Sequence, residues 1–169
     1  MLLAAALIGI PVAAASGATS VQMTMESALD STVLKDINAY RQSNGLQPLR
    51  LNPKLSAAAA THTREMAAGG YFSHDSADGS AFWKRVQRFY GSAGYHFWSV
   101  GENLVYGSPD LSDQDVMDEW IQSPEHKANL LNPSWKEVGI AAAHIPDAPG
   151  DYDNSETTIV TADFGVRRK

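Results

Sequence analysis

The chain has five histidines, nineteen acidic residues and no cysteine, so any metal it holds must rest on imidazole and carboxylate. Glu102, in the stretch GENLVYG, falls on the same face of an alternating segment as Trp98, Val100, Leu104 and Tyr106. A carboxylate on an apolar strand face loses its hydration, which costs free energy unless a cation, a metal or hydrogen-bond donors replace the water. The alternatives are a bulge at Gly101 that turns Glu102 to solvent, or a carboxylate that caps neighbouring backbone amides. His126 follows Ser123-Pro124 at the third position of a short helix. There the positive end of the helix dipole disfavours imidazolium and keeps the ring in its metal-binding form. Taken alone, a histidine in a first helical turn is more often a surface or capping residue. His74, in YFSHDS, sits in a loop with Asp75 at hand as an orienting carboxylate. His62 shares a helix face with Leu55 and Met66, which favours a packed, hydrogen-bonded core histidine. His96 and His144 have no supporting context. Asp147, Asp151, Asp153 and Glu156 fail the EF-hand pattern and fit a solvated hairpin tip.

The elements that must position these residues are legible from periodicity. Val33, Leu34, Ile37 and Tyr40 repeat at helical spacing up to a stop at Asn44-Gly45. A second helix has Asn52 as its cap, Pro53 in its first turn and Gly69-Gly70 at its end. SAFWKRVQRFYG fits a third, shorter helix, and the GENLVYG segment follows as a strand. Ser112 with Asp115 resembles an acidic capping box for a helix facing inward through Val116, Met117, Trp120 and Ile121. Ser123-Pro124 then restarts a short helix, and EVGIAAAHI and TTIVTADFG read as a closing antiparallel hairpin. The order predicts an α+β fold in which helices cover a small, mainly antiparallel sheet.

Composition narrows the function classes. A length of 169 residues suits one domain, and a net charge of −6 with no basic cluster beyond the Arg-Arg-Lys tail argues against nucleic acid. Residues 1–18 have the layout of a secretory signal peptide, with an apolar run over residues 2–10 and cleavage expected after Ala15 or Ala18. The apolar run is too short to cross a bilayer, so the expected protein is not transmembrane but secreted or associated with the cell envelope. Residues 19–31 read as a polar leader and residues 32–169 as the domain. An exported domain without disulfides must be held by core packing, for which 44% hydrophobic residues suffice.

Six segments in order, from INAYRQSNGLQPLRLNPKLSAAAATHTREMA through YFSHDS, GENLVYG, EWIQSPEHKANLLNP and EVGIA to ADFG, resemble the CAP superfamily. This superfamily groups cysteine-rich secretory, antigen 5 and pathogenesis-related proteins with the bacterial SCP-like domains, and Ser-Pro-x-His is the bacterial form. The resemblance implies a three-layer α-β-α sandwich whose central cleft is lined by two histidines and acidic residues. On it, His74 and His126 are the cleft histidines and the expected ligands of a divalent cation such as zinc, and Glu102 is the acid of Gly-Glu-Asn. Ser123 stands where eukaryotic members carry a second glutamate. Glu125, beside His126, either stands in for that acid or merely complements the helix dipole. The function this implies is a cleft for a divalent metal and a small apolar or envelope-derived ligand, with Trp83, Tyr90, Phe97 and Trp98 as candidate lining. The alternatives are a metal-dependent hydrolase with Glu102 as general base, and an inert structural or adhesive envelope module.

Overall fold

The computed structural model describes residues 20–169. The expected signal peptide lies outside the described residues. The chain runs β1 (Thr24–Met25), α1 (Ser27–Ser43), β2 (Arg50–Leu51), α2 (Pro53–Gly69), α3 (Phe82–Phe89) and β3 (Phe97–Gly107). It continues through α4 (Asp113–Gln122), α5 (Pro124–Leu130), β4 (Glu137–Ala148), a 3-10 turn (Gly150–Tyr152) and β5 (Ser155–Arg168). No described helix is long and apolar enough to cross a membrane.

The sheet has the order β1-β4-β5-β3, all antiparallel, with β2 adding a short parallel pairing to β4. Alternation along β5 builds the two faces. Val160, Ala162, Phe164 and Val166 join Val33 and Ile37 of α1 and Val116 and Trp120 of α4 in the largest core cluster. Ile159 faces the other way and packs with Met66 and Ala67 of α2, and Thr161 Oγ1 accepts a 2.8 Å hydrogen bond from Thr63 of α2. The result is the α+β, three-layer arrangement expected: α2 and α3 on one side, α1, α4 and α5 on the other.

The helix starts follow their sequence signals. Asn52 Oδ1 accepts from the amides of Lys54 and Leu55 at 2.9 and 3.4 Å. Ser112 and Asp115 form a reciprocal capping box. The expected boundary at residue 32 is corrected, because β1 and the first turn of α1 lie inside residues 19–31. Two interactions order that stretch: Met23, Met25 and Leu29 pack against core clusters, and Asp30 Oδ1 accepts the Ala142 amide at 2.6 Å. Burial pushes the Asp30 carboxyl up to about 6 against the opposing effect of that hydrogen bond. The two-residue β2 was not anticipated, since it offers no periodicity to read.

Contact between α2 and the sheet is closest at Gly139, where a Cβ would stand 2.0 Å from the Ser56 amide nitrogen and 2.1 Å from the Leu55 carbonyl carbon. Both are backbone atoms at the start of α2 and can yield only if the helix lifts off β4. Gly139→Ala is therefore expected to destabilise the fold by about 3 kcal/mol or more, read as a fall in the urea midpoint with the slope unchanged.

Candidate functional site

Glu102 is 4% exposed in the middle of β3. The β3 and β5 register runs without interruption through Gly101↔Phe164 and Glu102↔Asp163, so there is no bulge and the carboxylate points inward. Its lost hydration is replaced by two neighbours. Arg85, 1% exposed on α3, pairs with Oε2, and His74 Nδ1 lies 2.8 Å from Oε1. An ionised carboxylate can only accept, so Nδ1 carries the proton, and whenever the His74 ring is neutral its lone pair is on Nε2. The His74 side chain remains 49% exposed, so that nitrogen is available to a ligand.

Several elements pin the loop that carries His74. Gly70 ends α2 in the left-handed conformation at φ 62. The 3-10 turn locks onto it, with the Asp151 amide donating to Gly70 O at 3.0 Å and the Tyr152 hydroxyl to Tyr71 O at 2.7 Å. Asp151 Oδ2 also accepts the Phe72 amide at 3.1 Å. The acidic residues of the tip, Asp147, Asp151, Asp153 and Glu156, are solvent-exposed as expected; the tip also does structural work, since Tyr152 is buried in the α2-side core and Asp151 braces the His74 loop. His62, fully buried as expected, sits 2.8 Å from Ser73 O through Nε2. Arg85 donates to His74 O at 3.3 Å and to Ser76 Oγ at 2.9 Å. Glu102, not Asp75, orients the ring; Asp75 is exposed.

His126 arrives from the opposite layer. Ser123 is the N-cap of α5 and accepts the His126 amide at 3.4 Å, so its role is to start the helix and it does not line the cleft. Asn103 Nδ2 donates to His126 O at 3.0 Å, and Asn129 Nδ2 donates to Glu102 O at 3.1 Å. Gly101 allows that approach, because a Cβ there would meet Asn129 Oδ1 and Trp135 Cζ2 at 2.9 Å each. Burial lowers the His126 pKa below its ordinary value, aided by His74 and opposed by Glu125.

His74, Glu102, Glu125 and His126 line one cleft of 390 Å³, together with Phe82, Val100, Gly101 and Asn129. The aromatic lining expected from sequence is corrected. Tyr90 is fully buried, Trp98 packs in the same cluster as Tyr90, and Trp83 and Phe97 are exposed outside the cleft. Sequence reasoning missed Arg85 and Asp163. Arg85 shares the inner face of α3 with Phe82, Val86 and Phe89, the same polar-on-apolar signal that marked Glu102. Asp163 is fully buried, its oxygens unpartnered, and burial together with the charge of Glu102 pushes its carboxyl well above the ordinary range.

A larger depression of 570 Å³ lies between the start of α1 and the turn before α4, lined in part by His144 and Glu156. These two already pair at 3.3 Å. Among the described residues no group of three or more histidine, aspartate or glutamate side chains is arranged to hold a metal.

Residues 34–164 match the profile described as CAP, the cysteine-rich secretory protein family. The uncharacterized protein YkwD of Bacillus subtilis (strain 168) is 30% identical over 114 residues, which is 68% of this chain and 42% of that protein. The chain therefore spans less than half the length of that curated relative. Among solved structures, an extracellular protein containing an SCP domain from Bacillus anthracis str. Ames superposes with a TM-score of 0.63 at 26% identity, over 85% of this chain and 41% of that one. An outer surface protein from Borrelia burgdorferi shares the fold at a TM-score of 0.66 and 19% identity, covering 88% of this chain and 99% of its own.

Two outcomes are expected. Arg85→Met leaves Glu102 buried without its cation and should destabilise by about 3–5 kcal/mol in urea unfolding; adding Glu102→Leu should recover part of that loss, since no charge is then stranded. In NMR titration the His126 ring should protonate below the ordinary histidine value of 6.5. Because the unfolded chain then binds that proton first, this group makes stability rise with pH below about 6.5.

Proposed function

The chain belongs to the cysteine-rich secretory protein (CAP) family, over residues 34–164, and from that premise we propose that it works outside the cytoplasm as a ligand-binding domain centred on the His74 and His126 cleft. Two of its structural relatives are named as extracellular and outer surface proteins, which supports that location. The observation that carries the site is the relay from buried Arg85 and Glu102 to the half-exposed His74, which fixes one imidazole tautomer and leaves Nε2 free in a cleft shared with a second imidazole.

The donors fit a divalent cation such as zinc as a two-imidazole site. Glu102 is not a third ligand, because one oxygen holds His74 and the other Arg85. It stands instead as the carboxylate that orients a ligating histidine and raises its basicity. Glu125, exposed on the cleft wall, supplies negative charge nearby. A bound cation would contribute Lewis acidity; the protein's part is to hold His74, keep His126 neutral and present Phe82 and Val100 as apolar walls. The same geometry weighs against Glu102 as general base, since its side chain is wholly excluded from solvent and both oxygens are engaged.

Isothermal calorimetry with zinc chloride at pH 7.5 tests this. Weak binding is expected in the wild type, lost in His74→Ala and in His126→Ala, and reduced at pH 5.5 as the imidazoles protonate. Glu102→Gln should weaken it about 10–100-fold. Zinc binding that survives both histidine substitutions would place the metal elsewhere and end the proposal.

A further inference from the structure

Among the described residues β3 is an edge strand, paired on one side only, with β5. In an antiparallel ladder alternate residues turn their N–H and C=O toward the partner and the others turn theirs away. Three contacts fix which do which. Glu102 O accepts Asn129 Nδ2 at 3.1 Å, and Leu104 O accepts Trp120 Nε1 at 3.1 Å, both from helices beyond the edge. Gly165, opposite Val100, gives its carbonyl to the Lys136 amide at 3.1 Å on the far side of β5. The even-numbered residues of β3 therefore face outward. α4 and α5 close the edge at Glu102 and Leu104. Two and four residues earlier, the outward backbone groups of Val100 and Trp98 have no partner among the described residues. Val100 is also a wall of the cleft.

A row of unpaired donors and acceptors spaced two residues apart is complementary to another extended backbone, and proteins ordinarily cover or blunt such an edge. Charge shapes the occupant further. Residues 79–101 contain no acidic side chain, in a chain of net charge −6. Lys84 and Arg88 are exposed on α3, and Arg168, whose guanidinium lies 4.2 Å from the Phe97 ring centroid, is followed by Lys169. We propose that the ligand of this cleft is an extended peptide that adds as a strand to β3 at Trp98–Val100, with an acidic residue or free carboxylate at the end lying beside Arg168. The added strand would run toward Asn129, where the open edge stops, and so past His74 and His126. This rests on the cleft being the functional site and names the class of molecule it takes.

The probe is the fluorescein-labelled peptide TVTVTVEE, followed by fluorescence anisotropy. Two further versions carry N-methyl groups on alternate residues, one on each register. Wild-type protein should bind the parent peptide with a Kd of about 1 mM or tighter. One methylated register should bind at least tenfold more weakly and the other near parent strength, because only one register turns its amides toward β3. Val100→Pro removes an outward donor at a position where an edge strand tolerates proline, and should weaken binding at least tenfold; if that variant does not fold, the methylated pair decides alone. No binding by wild type, equal behaviour of the two registers, or a dimer through β3 that excludes the peptide would overturn the inference. Zinc calorimetry on the same sample separates the two readings: zinc bound without peptide removes only this inference, and peptide bound without zinc removes only the metal site.

Discussion

The buried ion pair of Glu102 and Arg85 is the constraint around which the cleft is arranged. A carboxylate in the middle of a sheet strand is tolerable only if its water is replaced, and the fold supplies that replacement from α3 on one oxygen and from the His74 ring on the other. The pair then acts beyond its own stability. Arg85 reaches past Glu102 to the backbone of His74 and the hydroxyl of Ser76, so one guanidinium holds the carboxylate and the loop it orients. Across the ladder, burial first and the charge of Glu102 second push the Asp163 carboxyl well above the ordinary range, which disfavours a second buried anion.

The two cleft histidines come from opposite layers, and β3 is the element that lets them meet. His74 lies on the α2 and α3 side, braced by the 3-10 turn and by His62. His126 lies on the α5 side, tied to β3 through Asn103 and Asn129. Gly101 removes the side chain that would hold α5 away. The Gly-Glu-Asn triplet thus does three separate jobs in three consecutive residues: close approach, charge, and an amide link to the helix carrying the second histidine.

The open end of β3 follows from the same arrangement. α4 and α5 reach the strand with side-chain donors at Leu104 and Glu102, and the edge beyond them is left to solvent and to the cleft.

The sequence alone determined whatever depends on neighbours along the chain. Asn52-Pro53, the Ser112 and Asp115 box and Ser123-Pro124 mark helix starts because a cap is made within three residues. The alternation of β3 exposed Glu102 as a carboxylate in need of a partner, and the six ordered motifs pointed to the fold and to His74 and His126. What only the tertiary structure decided is which partner answers that need. Arg85 and Glu102 are 17 residues apart, and their pairing exists because α3 packs on the strand. Asp151, whose position suggested a solvated tip, braces Phe72 from 79 residues away. The two-residue β2, the ordering of residues 24–31 and the free edge of β3 were likewise invisible, because each is set by which strands and helices lie side by side. Local patterning fixes an element and the face it buries; long-range packing fixes what that face meets.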